Sequence, residues 1–434
     1  MSKTNILQEL IPSLRLGTWA TQSIRKHLFG EETSSIDELC ELMMASDGEY
    51  SSLLIAERIY LIYEKLDDDG KQGFFNLLND SYDVDVDLLK AAVEEYANTA
   101  DSRRLKNLTI AAEPRRQELF RRLNLAPGGT PRLVRMRADL LRLARQQPEL
   151  GKMDVDFRHL FSSWFNRGFL LMQPIDWTTP AHILEKIIAY EAVHEIVNWS
   201  ELRRRLEPED RHCFAFFHPA MQDEPLVFVE VALTELVPAS ISQILDNGTN
   251  TVAADEASCA IFYSISNCHA GLSGVSFGNF LIKQVATSLK QRFPQLKIFS
   301  TISPAPGFRH WLEQQSGEDN DIGELLKQID DSPEKLEDNA ISDALSRQAS
   351  RYFLEQKNHR QEPIDPVARF HLKNGARLER LNVGADISRK GMQQSLGLMV
   401  NYVYNLAKVE ENHENYMKNH QVVCSSHIKK LLPH

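Results

Sequence analysis

Cys259-Ala260-Ile261-Phe262-Tyr263-Ser264-Ile265-Ser266-Asn267-Cys268-His269-Ala270-Gly271-Leu272-Ser273-Gly274-Val275 is the stretch on which the reading of the chain turns. Its first eight residues are rich in β-branched and aromatic side chains, the composition of a strand. The loop that follows carries two glycines, and a helix is expected to open near Val275. Phe277, Leu281, Val285, Leu289 and Phe293 recur every fourth residue, so one ridge of that helix should be buried. A strand, a glycine-bearing loop and a helix N-terminus together suit an anion. Glycine lets main chain approach closely, and free N–H groups with the helix dipole favour phosphate. Taken alone the pattern is weak, because many such turns bind nothing.

Downstream, the helix should stop at Phe293-Pro294. Lys297-Ile298-Phe299-Ser300-Thr301-Ile302-Ser303 then reads as a strand running into Ser303-Pro304-Ala305-Pro306-Gly307-Phe308. Ala368-Arg369-Phe370-His371-Leu372-Lys373-Asn374-Gly375-Ala376-Arg377-Leu378 reads as a short helix capped by Gly375, then a strand. A hairpin turning on Asn374-Gly375 is the rival, and Pro366 at a helix start favours the first. Upstream, Pro225-Leu226-Val227-Phe228-Val229-Glu230-Val231-Ala232-Leu233 is a further strand. Residues from about 35 to 170 have helical periodicity instead: Ile55, Ile59 and Ile62; Leu119 and Leu123; Leu133, Met136, Leu140 and Leu143. Pro127, Gly128, Gly129 and Pro131 separate two of these helices. The expected class is α+β: an all-helical bundle over residues 1–175, then a mixed-sheet domain over 176–434.

Composition excludes several classes of function. The 434 residues include 42% hydrophobic and 25% charged side chains, with net charge -11. Such a balance argues against general nucleic-acid binding, which needs basic patches. The five cysteines include no Cys-x-x-Cys pair, which points to a reducing compartment without disulfides or a thiolate zinc site. The histidines show no His-Glu-x-x-His spacing, so no metal site is expected. No apolar run approaches the ~20 residues that span a bilayer, and the first residues lack a signal-peptide core. Lys3, Arg15, Arg25 and Lys26 give a transit peptide little support beside Glu9, so the cytoplasm is the default.

Several of these segments resemble malonyl-CoA decarboxylases. They include residues 262–266, 271–275, 280–283, 303–308, 370–376 and 397–402, joined in the helical half by Pro127-Gly128-Gly129-Thr130 and Met136-Arg137-Ala138-Asp139-Leu140. They fall in the family's order and cover most of the chain beyond residue 100. The order strand, glycine loop, helix, strand, helix, strand also resembles the GNAT acyltransferase fold, in which the loop holds the coenzyme A pyrophosphate and the pantetheine slips between two splayed strands. Phe370, His371 and Gly375 fit that fold's Ala-x-x-Phe-Tyr-x-x-x-Gly pattern, with histidine replacing tyrosine and Ala368 one place out of register.

The resemblance implies a GNAT-like domain that removes carbon dioxide from malonyl-CoA, and a helical domain through which subunits associate as a dimer or tetramer. It assigns catalysis to Ser303 and His371, and coenzyme A binding to Gly271, Leu272, Ser273, Gly274, Val275 and Ser276. At Ser276 some members carry a carboxylate that this chain lacks. On the residues alone, Ser303 before a proline is a turn former and His371 a helix-flank histidine. Malonyl-CoA needs no added cofactor, because its own thioester carbonyl accepts the electrons as an enolate; coenzyme A is part of the substrate. The site must donate to the thioester oxygen, hold the carboxylate across the carbonyl plane, and supply a proton. Ser303 is expected to hydrogen-bond the malonyl group, and His371 to polarise the carbonyl or protonate the enolate. The competing functions are a coenzyme A-dependent acyltransferase acting on an amine and a non-catalytic coenzyme A-binding or scaffold protein. Cys268-His269 is not expected to form a dyad, and residues 271–274 lack the second glycine of a hydrolase elbow at Val275.

Overall fold

The structure, a computed structural model, describes residues 35–46, 48–246, 251–275, 281–317 and 320–432. Contacts divide the chain into two compact units. One comprises Met1–Phe165 with His269–Val275; the other comprises Asn166–Cys268 with Ser276–His434.

The described part of the first unit is helical: α1 (Ile36–Ala45), α2 (Glu49–Tyr63), α3 (Asp68–Ser81), α4 (Val86–Thr99), α5 (Ser102–Ala111), α6 (Arg115–Asn124), α7 (Gly129–Leu143) and α8 (Gly151–Trp164). Ser35 opens α1 with a reciprocal cap in which Ser35 and Glu38 each accept the other's backbone N–H, satisfying donors the helix cannot. Leu119, Leu123, Leu133, Met136 and Leu140 are fully buried, as their spacing predicts. In α2 the buried stripe is Ile55, Ala56, Ile59, Tyr60 and Tyr63, and Ile62 lies at its margin. The break between α6 and α7 sits where proline and glycine place it. Gly128 has φ +69°, a left-handed conformation suited to glycine. The Tyr60 hydroxyl lies within hydrogen-bonding distance of the carbonyls of Leu123 and Gly129 at 3.1 and 3.2 Å. Helices α4 and α5 bury no residue, and they leave Leu88 and Ile110 more than half exposed.

The second unit is built on one mixed sheet. Strands β1 (Leu171–Ile175), β2 (Arg211–Phe217), β3 (Val227–Thr234) and β4 (Cys259–Asn267) run antiparallel in sequence order. The boundary therefore falls after Phe165 rather than after residue 175, because β1 pairs with β2 and belongs to the sheet. Pro174 is tolerated because β1 is an edge strand, where one N–H can be absent from the ladder. Helices α9 (Ala181–Tyr190) and α10 (Trp199–Leu206) bury Ile183, Leu184, Ile187 and Leu202 against Cys213, Ala215 and Phe228 of the sheet.

Strand β5 (Ile298–Thr301) is parallel to β4, and this pairing ends at Phe262 opposite Thr301. Beyond that point β4 continues beside β3 to Asn267. The chain after β5 turns instead to β8 (Met399–Val403), which it meets through β6 (Ser303–Pro304), and β7 (Arg377–Asn382) pairs with the same strand. Two parallel strands that part in mid-sheet are the feature expected of a GNAT-like domain. Helix α11 (Leu281–Arg292) buries Leu281, Ile282, Val285, Ala286 and Leu289. Ser276 and Phe277 lie outside the described residues.

Candidate active site

Ser303 follows directly on the parting of β4 and β5. Its Oγ lies 3.0 Å from Nε2 of His371, and its hydroxyl is also 3.0 Å from Oγ1 of Thr301. Thr301 and Ser303 are two residues apart on extended chain, so their side chains share a face. Oγ1 of Thr301 in turn accepts the N–H of Tyr402 on β8. The serine is thus aimed by a hydroxyl that is itself held by the sheet.

His371 comes from helix α14, reached through α12 (Phe308–Gln315) and α13 (Asn339–Leu354). Helix α14 spans Pro366–Lys373, with proline in its first turn, and the turn at Gly375 leads to β7. The helix-then-strand reading of this segment holds. Asp365 caps the helix by accepting the N–H of Ala368 at 2.7 Å, and it accepts the Tyr352 hydroxyl at 3.2 Å. That hydroxyl also lies 2.6 Å from where a Cβ on Gly307 would stand. Tyr352 therefore touches both the turn after Ser303 and the cap of the helix that carries His371. Gly375 has φ +79°, and a Cβ there would fall 2.1 Å from the carbonyl oxygen of Val409.

The imidazole of His371 is enclosed. Nδ1 lies 2.7 Å from the Tyr404 hydroxyl, and the ring stacks on Tyr402 with centroids 4.5 Å apart. Burial without a compensating anion drives its pKa down to about 3, so the ring is neutral at physiological pH. A neutral ring carries one N–H, which leaves two arrangements. In one, Tyr404 donates to Nδ1 and Nε2–H donates to Ser303. In the other, Ser303 donates to Nε2 and Nδ1–H donates to Tyr404. The first arrangement leaves the Ser303 proton free to be presented, as a neutral donor, to an oxygen that is gaining charge, without forming imidazolium.

A cavity of 240 Å³ lies against this pair. It is walled by Phe262, Tyr263, Ile265 and Asn267 of β4, by Ser303 and Pro304, and by Pro366, Val367, Phe370 and His371 of α14. It is mostly apolar with few polar groups, and its size suits a short acyl group rather than a whole coenzyme. Among the described residues no group of three or more His, Cys, Asp or Glu side chains could hold a metal ion.

Spacing did not reveal Thr301, Asp365, Tyr402 or Tyr404. The signal for Thr301 was its place two residues before Ser303 on a strand. Tyr404 is 33 residues from His371, and no local pattern marks it. Cys268 is buried, and desolvation raises its thiol pKa, the opposite of an activated nucleophile.

The expected phosphate loop belongs to the first unit. There Arg137 of α7 donates to the carbonyls of Gly271 and Ser273 at 2.6 and 2.8 Å. Gly271 packs so tightly on α7 that a Cβ would stand 1.8 Å from the carbonyl oxygen of Val134. Close approach of helix and loop accounts for this glycine. Leu272 and Val275 are buried. Gly274 has φ +71°, and the Arg158 guanidinium lies about 4 Å from its Cβ position.

Comparison with known proteins gives these features a context. Residues 82–165 match the family model for the malonyl-CoA decarboxylase N-terminal domain, and residues 168–434 match that for the C-terminal domain. The mitochondrial malonyl-CoA decarboxylase of Mus musculus is 36% identical over 357 residues, covering 75% of this chain and 72% of that protein. The Anser anser anser enzyme is 35% identical over 347 residues, covering 73% and 69%. The malonyl-CoA decarboxylase structure from Rhodopseudomonas palustris superposes with TM-score 0.86 at 47% identity, covering 92% of this chain and 100% of that one. That from Agrobacterium vitis gives 0.84 at 51%, covering 92% and 99%. With both of its halves matched in order, this chain belongs to the malonyl-CoA decarboxylase family.

Proposed function

We propose that this chain decarboxylates malonyl-CoA to acetyl-CoA and carbon dioxide through a thioester enolate. The observation that carries this reading is the linked set Ser303, His371 and Tyr404, whose serine and histidine line a small cavity where β4 and β5 part. Loss of carbon dioxide leaves an electron pair that the thioester carbonyl takes up. Ser303 or Nε2–H of His371 donates to the thioester oxygen as its charge grows. The apolar walls keep water away and strengthen that hydrogen bond. The thioester is the electron sink, so the reading requires neither metal nor organic cofactor.

Residues 271–276 are proposed to hold the coenzyme A pyrophosphate, with Arg158 beside Gly274 as a cation for it. The protein is further proposed to work in the cytoplasm, in fatty acid metabolism. Among the described residues no helix is long and apolar enough to cross a membrane. A homo-oligomer is proposed, supported by the unburied apolar side chains of α4 and α5; light scattering at micromolar concentration should show a dimer or tetramer, and a monomer would refute it.

Incubation with malonyl-CoA and no acceptor tests the activity. Acetyl-CoA and carbon dioxide in equal amounts, with turnover unaffected by EDTA, are expected. Acyl transfer appearing only when an amine is added would replace this reading with an acyltransferase.

A further inference from the structure

Between α9 and α10 the chain is neither helix nor strand over residues 191–194, yet it is held from several sides. Glu191, 8% exposed, accepts the N–H groups of Val193 and His194 at 2.8 and 2.7 Å. The hydroxyls of Ser264 and Ser266 on β4 donate to the same carboxylate at 2.7 and 3.1 Å. The N–H of Ala192 donates to Oγ of Ser266 at 3.2 Å. Nζ of Lys390 donates to the carbonyls of Ala192 and Val193. Both backbone groups of Val193 are therefore engaged, and what it offers its surroundings is a branched side chain that is stiff at χ1.

Val193 borders two cavities. It lines the 240 Å³ cavity together with Ser303 and His371. It also lines a second cavity of 1130 Å³, whose walls include Glu195, Glu201, Ser240, Asp386 and Lys390. Among the described residues no other lines both. The remaining walls of the small cavity have a different backing. Phe262 and Tyr263 are 1% exposed, and Tyr263 packs with Ile261 and Ile302 in the core. Pro366 and Phe370 are exposed, so that side faces solvent. Trimming a core residue leaves at most the space of the atoms removed. Trimming Val193 opens the small cavity toward space that already exists.

We propose that Val193 sets the largest substituent the enzyme accepts at C2 of the malonyl thioester, and that Glu191 and Lys390 hold it in place to do so. The inference rests on the decarboxylase reading. In that reading the thioester oxygen reaches Ser303, and C2 is bonded to the thioester carbon. C2 and whatever it carries must therefore fit in the cavity that Val193 borders. A methyl or ethyl group on C2 changes no step of the chemistry: loss of carbon dioxide leaves propionyl-CoA or butyryl-CoA through the same kind of enolate. Selection among these substrates is then a matter of space. One methylene in an apolar pocket corresponds to about 10- to 200-fold in kcat/KM. The anchors matter because a wall free to move would yield to the larger group.

The test uses the full-length enzyme after wild-type release of carbon dioxide from malonyl-CoA has been established; absence of that release overturns the decarboxylase reading instead. Values of kcat/KM for malonyl-CoA and methylmalonyl-CoA are then measured, with melting temperatures alongside, in wild type, Val193→Ala, Val193→Leu and Lys390→Met. Val193→Ala should raise the ratio of methylmalonyl-CoA to malonyl-CoA at least ~10-fold, and Val193→Leu should lower it. Lys390→Met leaves the side chains of the small cavity unchanged and loosens only the segment behind Val193, so it should raise the ratio by less. A general loss of stability lowers both values together and does not move their ratio. A ratio within about twofold of wild type in Val193→Ala, or a rise as large in Val193→Leu as in Val193→Ala, overturns the assignment. A Lys390→Met ratio equal to wild type overturns the role of the anchors.

Discussion

The Tyr404 hydroxyl meets Nδ1 of His371 at 2.7 Å, so the side of the imidazole away from Ser303 is held as firmly as the side that faces it. Removing that hydroxyl by Tyr404→Phe leaves a buried ring nitrogen unpartnered and frees the ring to change tautomer. A buried unsatisfied group costs about 1–3 kcal/mol, which corresponds to roughly a ten- to hundredfold loss of kcat if the lost order is felt at the transition state. Coenzyme A affinity should be preserved. Steady-state kinetics beside calorimetric titration with coenzyme A checks both.

Ser303→Ala and His371→Asn should each reduce turnover by ~10²–10⁴-fold while leaving coenzyme A binding nearly intact. Because the two share one hydrogen bond, the double variant should lose less than the product of the single losses. A Ser303→Ala protein that melts lower yet turns over normally would return Ser303 to the role of turn former.

The neutral state of His371 has consequences in acid. Its folded pKa of about 3 lies below the ~6.5 of an unfolded histidine, so between these values the unfolded chain binds more protons. The stability contributed by keeping the ring neutral is full above pH ~6.5 and is lost as pH falls toward the folded value. In nuclear magnetic resonance spectra, the His371 ring should keep neutral-state shifts down to pH ~5. A midpoint between ~6 and ~7 would contradict the enclosed geometry.

Gly274→Asp should weaken binding of coenzyme A as well as malonyl-CoA. It sets a side chain at a position with φ +71° and a carboxylate beside Arg158. Loss of one charge-assisted contact corresponds to about 1.5–3 kcal/mol, or at least ~10-fold in Kd. Unchanged coenzyme A affinity in the folded variant would move the phosphate site elsewhere.

Which parts of this were legible in sequence follows from the range of the forces involved. Helical periodicity around Leu119, Leu133 and Leu140 and the glycine break at residue 128 are local, and they read correctly. So did the strand to Ser303 and the helix from Pro366, each marked by its own prolines. Ser303 and His371 became candidates through a resemblance, since nothing in either neighbourhood announces the other across 68 residues. Tyr404 stayed hidden because a tyrosine after a buried strand has many uses, and only the fold brings it to the imidazole. Strand β1 was passed over because Pro174 masks it until the edge position is known. The bulge in β4, where Glu230 pairs with Ser264 and Val231 with Phe262, arises from pairing with β3 and leaves no trace in either strand alone.

Gly375 holds a lesson for anyone who diversifies this scaffold. It touches no reacting group, yet its left-handed backbone and the Val409 carbonyl leave no space for even one methyl. A saturation library scored by survival of activity would therefore rank position 375 beside Ser303, and an observer of tolerance alone would credit the glycine with chemistry. Scoring the same library for soluble yield separates the two: substitutions at 375 should vanish from the folded pool, whereas Ser303→Ala should remain in it and be silent only in the assay.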